Sequence, residues 1–194
     1  MFYLIGVNHL VQSLKGGATP TPENLYYASC LAEAIVRLNP TLVAEEESRE
    51  SLRGRISIAE ALALNRVDHV LCDPEKRERK AIGYRCFWDL QARIYQEDRG
   101  ISDQECEVRA TAIEIAREFG KREDYWLVST KGRDLSTTIF VCGDAHVDGF
   151  RKRLSDRGIP SEVLARGVGM TPEQRELITE ANLLLTREPN IDVV

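Results

Sequence analysis

The sequence predicts an α/β fold: a single layered domain over residues 1–194, with a largely parallel central sheet of about five strands flanked by helices. Three observations predict it. Short apolar runs of about 4–6 residues alternate with longer amphipathic stretches. The runs are apolar almost throughout, as expected of strands covered on both faces. No Gly/Ser-rich or Pro-rich linker, internal repeat or low-complexity tract divides the chain, and 194 residues suit one domain.

Phe2 to Val7 reads as the first strand. Pro22 to Arg37 reads as a helix, because Leu25, Ala28, Leu31, Ala32, Ile35 and Leu38 recur at helical spacing and Pro22 suits a first turn. Thr41 to Glu45 is the second strand, Ile58 to Val67 a short helix, and His69 to Cys72 the third strand. Residues 75–135 read as a helical insertion near the carboxyl ends of the strands, long enough to form a cap. It holds Arg85 to Tyr95 and Ser102 to Phe119; the latter opens on Ser102 with Glu105 three residues on and ends at Gly120. Thr138 to Cys142 is the strongest strand, rich in β-branched and aromatic residues. Asp148 to Arg157 is a helix closing at Gly158, Glu162 to Ala165 the fifth strand, and Thr171 to Leu185 the last helix, capped by Thr171 with Pro172 behind it. The tail EPNIDVV is expected to be loose.

Charge and composition narrow the function classes. Lys plus Arg number 26 against 31 Asp plus Glu, a formal net charge of -5. Nucleic-acid binding needs clustered cations, so no nucleic-acid partner is expected. No apolar run approaches the roughly 20 residues that span a bilayer, so no membrane partner is expected either. The segment MFYLIGVNHLVQ lacks a basic start and a small-residue cleavage site and reads as a strand rather than a signal peptide. The five cysteines are odd in number and form no C-x-x-C, which argues against a zinc–cysteine site and fits a reduced, cytoplasmic setting.

Ligands of open α/β sheets bind beyond the carboxyl ends of the strands. There the sequence sets Gly6-Val7-Asn8-His9, Glu45-Glu46-Glu47, Asp73-Pro74 and Gly143-Asp144-Ala145-His146. Two histidines, a carboxylate cluster and an aspartate at one rim are the donors of a divalent metal site. The repeated G-x-x-H is unusual. With 13 glycines and three histidines, two such matches are about a 1% coincidence. Glycine there permits an unusual turn and a close backbone approach. Each histidine taken singly reads first as a turn residue, and three consecutive glutamates as a solvated turn; the matched pair of histidines beside a glutamate favours a site. His69 starts its strand and is expected at the opposite edge. Asp73 reads as turn chemistry, or as a carboxylate for Arg77 or Arg79.

These residues resemble the TraB/Tiki proteins, within the wider superfamily of erythromycin esterases and ChaN-like proteins. The resemblance rests on the two G-x-x-H motifs, on Val43-Ala44-Glu45-Glu46, on Arg122-Glu123-Asp124-Tyr125 and on Gly143-x-x-His146-x-x-Gly149. It implies a polar cleft at the strand ends, and it points to Glu46 as the family glutamate.

A metal-dependent hydrolase of ester or peptide bonds is therefore expected. His9, His146 and Glu46 would bind a divalent ion such as Mn, Co or Zn. Glu45 or Asp144 would serve as general base, and Arg122 would stabilise developing negative charge. The substrate would be a small molecule or a peptide. The alternative is a non-enzymatic protein of the same superfamily that holds a metal, haem or a small ligand in that cleft. Trp126 and Tyr125 read equally as core and as site residues, with Arg122 and Tyr125 expected to turn towards His146.

Overall fold

The computed structural model describes residues 1–191. Along the chain run β1 (Phe2–Val7), β2 (Ser13–Lys15), α1 (Pro22–Leu38), β3 (Leu42–Glu45), α2 (Arg49–Leu52), β4 (Arg55–Ser57), α3 (Ile58–Ala63) and β5 (Asp68–Leu71). There follow α4 (Lys76–Ala81), α5 (Phe87–Glu97), α6 (Asp103–Ile113), α7 (Phe119–Ser129), β6 (Thr138–Gly143), α8 (Val147–Asp156), β7 (Ser161–Val168) and α9 (Pro172–Arg187). Two compact bodies form. One comprises residues 1–76 and 123–170; the other comprises residues 77–122 and the chain from Thr171 onward.

The first body holds a five-stranded parallel sheet in the order β5-β3-β6-β1-β7. Its strands are short and apolar because helices cover both faces. Alternation sorts the side chains. Ile5, Val7, Val43, Ile139 and Val141 pack with Tyr27, Leu31 and Ile35 of α1 and with Ile58 and Ala59 of α3. Phe2, Leu4, Leu42, Ala44, Phe140 and Cys142 pack on the other face with Trp126 of α7 and with Val147, Phe150 and Leu154 of α8. Thr21 and Asn24 form the capping box that starts α1, and Asn39 ends it in the left-handed region at φ 43°.

The second body is helical. Leu90, Ile94, Cys106, Ala110, Ile113 and Ala181 form its core. Ile191 joins them at 5% exposure, so this part of the expected loose tail is packed; residues 192–194 lie outside the described residues.

Three further expectations change, and one element is new. The helix expected over Ile58–Val67 stops at Ala63, because Leu64 leaves the helical region at ψ 126° and Asn65 then turns the chain in the left-handed region at φ 60°. The helix expected to end at Gly120 continues: α6 passes through a π turn at Glu114–Glu118 into α7. Gly120 does not adopt the positive φ that a C-cap requires, and the residues beyond it carry Trp126 into the core. The fifth strand runs on to Val168. A two-stranded antiparallel sheet of β2 and β4 was not expected, because three-residue strands leave no periodicity to read. Among the described residues no helix is long and apolar enough to cross a membrane.

Candidate functional site

The chain steps outward from β1 to β3 and β5, then returns to insert β6 between β1 and β3. The carboxyl ends of β1, β6 and β3 therefore lie side by side at a topological switch point, where α/β sheets bind ligands. Each end carries one side chain of the site. After β1, Asn8 caps a 3-10 turn over His9–Val11 through its Oδ1 and donates its amide to Gly169 O at 3.0 Å. After β6, His146 closes a 3-10 turn that leads into α8. After β3, Glu46 extends the ladder by donating its N–H to Val141 O at 2.8 Å.

The three side chains meet. Glu46 Oε2 accepts the Gly143 N–H at 2.7 Å. Glu46 Oε1 lies 3.5 Å from Nε2 of His9 and 3.4 Å from Nε2 of His146. The far nitrogens are held as well: Nδ1 of His9 pairs with Gln12 Oε1 at 3.1 Å, and Nδ1 of His146 with Glu123 Oε1 at 3.0 Å. With Gln12 Oε1 as the acceptor, His9 donates from Nδ1, and in the neutral ring its Nε2 lone pair is turned towards Glu46. The His146 and Glu46 side chains are 2% and 0% exposed, whereas that of His9 is 48% exposed and opens the site to solvent.

The motif glycines act by making room. A Cβ on Gly143 would lie 2.7 Å from His9 Nε2 and 3.4 Å from Glu46 Oε2. A Cβ on Gly6 would overlap the Asp144 carboxylate and sit 2.7 Å from Val147 Cγ2. Parallel pairing of β1 with β6 sets Val7 beside Gly143, so each G-x-x-H glycine receives side chains from the other motif's turn. The expected unusual turn is absent: neither glycine has a positive φ. Gly149 plays the same part for Glu123, whose Oε1 lies 2.9 Å from where its Cβ would be.

The other carboxylates are committed elsewhere. Glu45, expected as a general base, accepts from the Ser57 hydroxyl and pairs with His69 Nε2 at 2.8 Å. It is the last residue of β3, so alternation turns it to the face opposite Ala44. Asp144, the other expected base, accepts from the Gly167 N–H at 2.7 Å and pairs with Arg166, which ties it to β7. His69, expected to start its strand, is the second residue of β5, and its ring reaches the end of β3, because side chains lean along the strand. Burial pushes the Glu47 carboxyl up, against a hydrogen bond from Ser51. Asp73 accepts from Trp126 Nε1 at 3.2 Å.

Trp126 is core, and it also meets His146 edge to face at 4.9 Å between ring centres. Tyr125 packs half-buried at the margin of the same cluster. Arg122 belongs to the helical body, where its guanidinium lies 5.3 Å from the centre of the Tyr84 ring.

Gln12, Glu123 and Arg153 have no place in the expected site. Burial pushes the Glu123 carboxyl up to about 7; the hydrogen bond and charge of Arg153 oppose the rise, and the nearby charges of Glu46 and Asp124 add to it. Gln12 carries a readable signal, since it stands three residues beyond His9 in the same turn.

Among the described residues no group of three or more His, Cys, Asp and Glu side chains stands ready-made to hold a metal ion. Comparison with family models, curated proteins and solved structures finds no match for this chain.

Proposed function

We propose that the chain is a metal-dependent hydrolase of ester or peptide bonds, with His9, Glu46 and His146 as ligands of one divalent ion. One observation carries this reading: a carboxylate oxygen lies between two imidazole Nε2 atoms whose rings are held from behind. The separations of 3.4 and 3.5 Å exceed ordinary hydrogen-bond lengths. They match the roughly 3.3–3.4 Å between two ligands of a tetrahedral ion with bonds of about 2.0–2.1 Å. Acceptors behind metal-bound imidazoles are the usual supporting arrangement, and Gln12 and Glu123 supply them here. The lack of a ready-made group of three sets one requirement: the ligands must close further on binding, and the half-exposed His9 ring is the one with room to move.

When bound, the ion would acidify a water molecule and polarise a carbonyl of a small-molecule or peptide substrate. The chain's own part is to hold and orient. The Gly143 N–H fixes Glu46, Glu123 fixes His146, and the open side at His9 admits substrate. The two G-x-x-H turns with Glu46 support kinship with the TraB/Tiki proteins on the same footing. A reducing, cytoplasmic setting is supported by five thiols that form no disulfide.

A binding role without turnover has one observation in its favour. Glu45 and Asp144, the two residues that could have served as general bases, are both committed to hydrogen bonds. The test is hydrolysis of ester and peptide substrates by chain loaded with Mn, Co or Zn, with and without a chelator. Turnover that the chelator abolishes supports the hydrolase. One bound ion per chain without turnover on any substrate favours the binding role.

A further inference from the structure

The second motif does not end at its histidine. His146, Gly149 and Arg153 stand at i, i+3 and i+7, which places them on one face of the turn and helix α8. All three meet the same buried carboxylate of α7. His146 Nδ1 pairs with Glu123 Oε1 at 3.0 Å. Arg153 Nε donates to Glu123 Oε2 at 2.7 Å. Gly149 contributes only room, since a Cβ there would lie 2.9 Å from Oε1 and 3.3 Å from Oε2. The arginine is anchored in turn: its Nη1 donates to Asp124 at 3.1 and 3.2 Å, and Asp124 also accepts from Arg157 at 2.8 Å.

We propose that Arg153 is a positioning residue of the His9–Glu46–His146 site, acting through Glu123 to fix the ring and tautomer of His146. The inference rests on the site reading above, but its mechanism is hydrogen bonding and needs no ion. Glu123 is 2% exposed, so water does not orient its carboxylate. Arg153 takes Oε2 and thereby turns Oε1 to the imidazole as an acceptor. With Glu123 ionised, as its ion pair with Arg153 favours, only an N–H can meet Oε1, so Nδ1 carries a hydrogen and, in the neutral ring, the Nε2 lone pair faces Glu46. The motif thus extends to G-x-x-H-x-x-G-x-x-x-R, with Glu123 as its distant partner. Supporting acceptors of this kind change metal affinity by about 10–100-fold when removed.

The experiment is 15N NMR of histidine-labelled, metal-free protein, in which only three imidazoles need assignment. Wild type is expected to show His146 with its hydrogen on Nδ1. Arg153→Met should move it towards the Nε2–H form or a mixture, and Arg153→Lys should recover part of the wild-type signal. Gly149→Ala is the second variant. Alanine is the better helix former, so a purely structural role predicts a more stable protein with His146 unchanged. The proposal predicts a displaced Glu123 and a disturbed His146 signal. Zinc titration of the same proteins should show a 10–100-fold loss of affinity in Arg153→Met. An unchanged His146 tautomer in Arg153→Met and Gly149→Ala overturns the proposal, and so does a wild type already on Nε2–H. A tautomer shift in a chain that binds no zinc leaves Arg153 in its role and removes the metal instead.

Discussion

A Cβ on Gly143 would lie 2.7 Å from Nε2 of His9, so one G-x-x-H motif supplies the space in which the histidine of the other stands. Strand pairing produces this, because Val7 is the partner of Gly143 and His9 follows two residues later. Gly143 has φ -54°, which any residue adopts, so the requirement is steric and not conformational.

Gly143→Ala separates the two causes. If backbone freedom alone mattered, alanine would stabilise by about 0.4–1 kcal/mol. We expect destabilisation of about 1–3 kcal/mol from the crowded ring and carboxylate. Adding His9→Ala should recover most of the loss, because the clash goes with the imidazole. Urea unfolding of the four proteins of this double-mutant cycle checks it. Additive effects would show that the two residues do not share the space.

Glu45→Gln should cost stability and spare the site. Glu45 is fully buried and holds Ser57 and His69, and an amide keeps the shape but loses the charge-assisted bonds. The expected loss is about 1–3 kcal/mol, read by urea unfolding, with divalent-ion content unchanged.

How far the site was legible follows from sequence distance. His9 and His146 each lie three residues beyond a strand-end glycine, so the motif and the apolar runs locate them together. Glu46 was singled out only by the resemblance of Val43-Ala44-Glu45-Glu46, and the structure has Glu45 and Glu46 facing different partners, as alternation requires. Glu123 was legible only within the Arg122-Glu123-Asp124-Tyr125 resemblance, without a role, and Arg153 was not legible. Glu123 meets His146 across 23 residues and Arg153 across 30, and nothing local encodes the meeting of α7 with α8. Gly120 misled for a related reason. Its local signal is a helix stop, whereas the burial of Trp126 six residues later rewards continuing the helix. The partners of Glu45 and Asp144, the expected general bases, were not legible either, because counting strand ends does not show what each carboxylate accepts. Asp144 is taken by the Gly167 N–H of a strand that runs past its expected end.

The thiols should divide by burial. Cys72, Cys106 and Cys142 are buried; burial pushes the Cys72 thiol up to about 12 and that of Cys142 well above its ordinary value. An aromatic disulfide reagent at pH 8 should titrate at most Cys30 and Cys86 in the native chain, and all five after denaturation. Rapid reaction of Cys72 or Cys142 in the native state would contradict the packing described.

Glu118 gives the helical body a pH dependence. Burial pushes its carboxyl up, but hydrogen bonds from Lys121 and Arg85 outweigh burial and hold it below its ordinary value of 4.5. A lowered carboxylate contributes stability above the unfolded value, and this is lost as pH falls through the folded one. Glu118→Gln should therefore destabilise by about 1–3 kcal/mol at pH 7. The gap to wild type should narrow as pH drops below 4.5. A gap independent of pH would assign the loss to packing alone.

The central claim is that Glu46 and the two histidines hold one ion, and ion content with Glu46→Gln tests it most directly. Glutamine keeps the shape and can still accept the Gly143 N–H, but it lacks the negative charge that offsets a divalent cation. Apo protein titrated with Zn, Mn or Co, then freed of excess and analysed for metal, should hold one ion per chain. Glu46→Gln should lose it while the unfolding transition stays cooperative. A wild type that retains none of the three ions, or a Glu46→Gln protein that retains as much as wild type, would contradict the account.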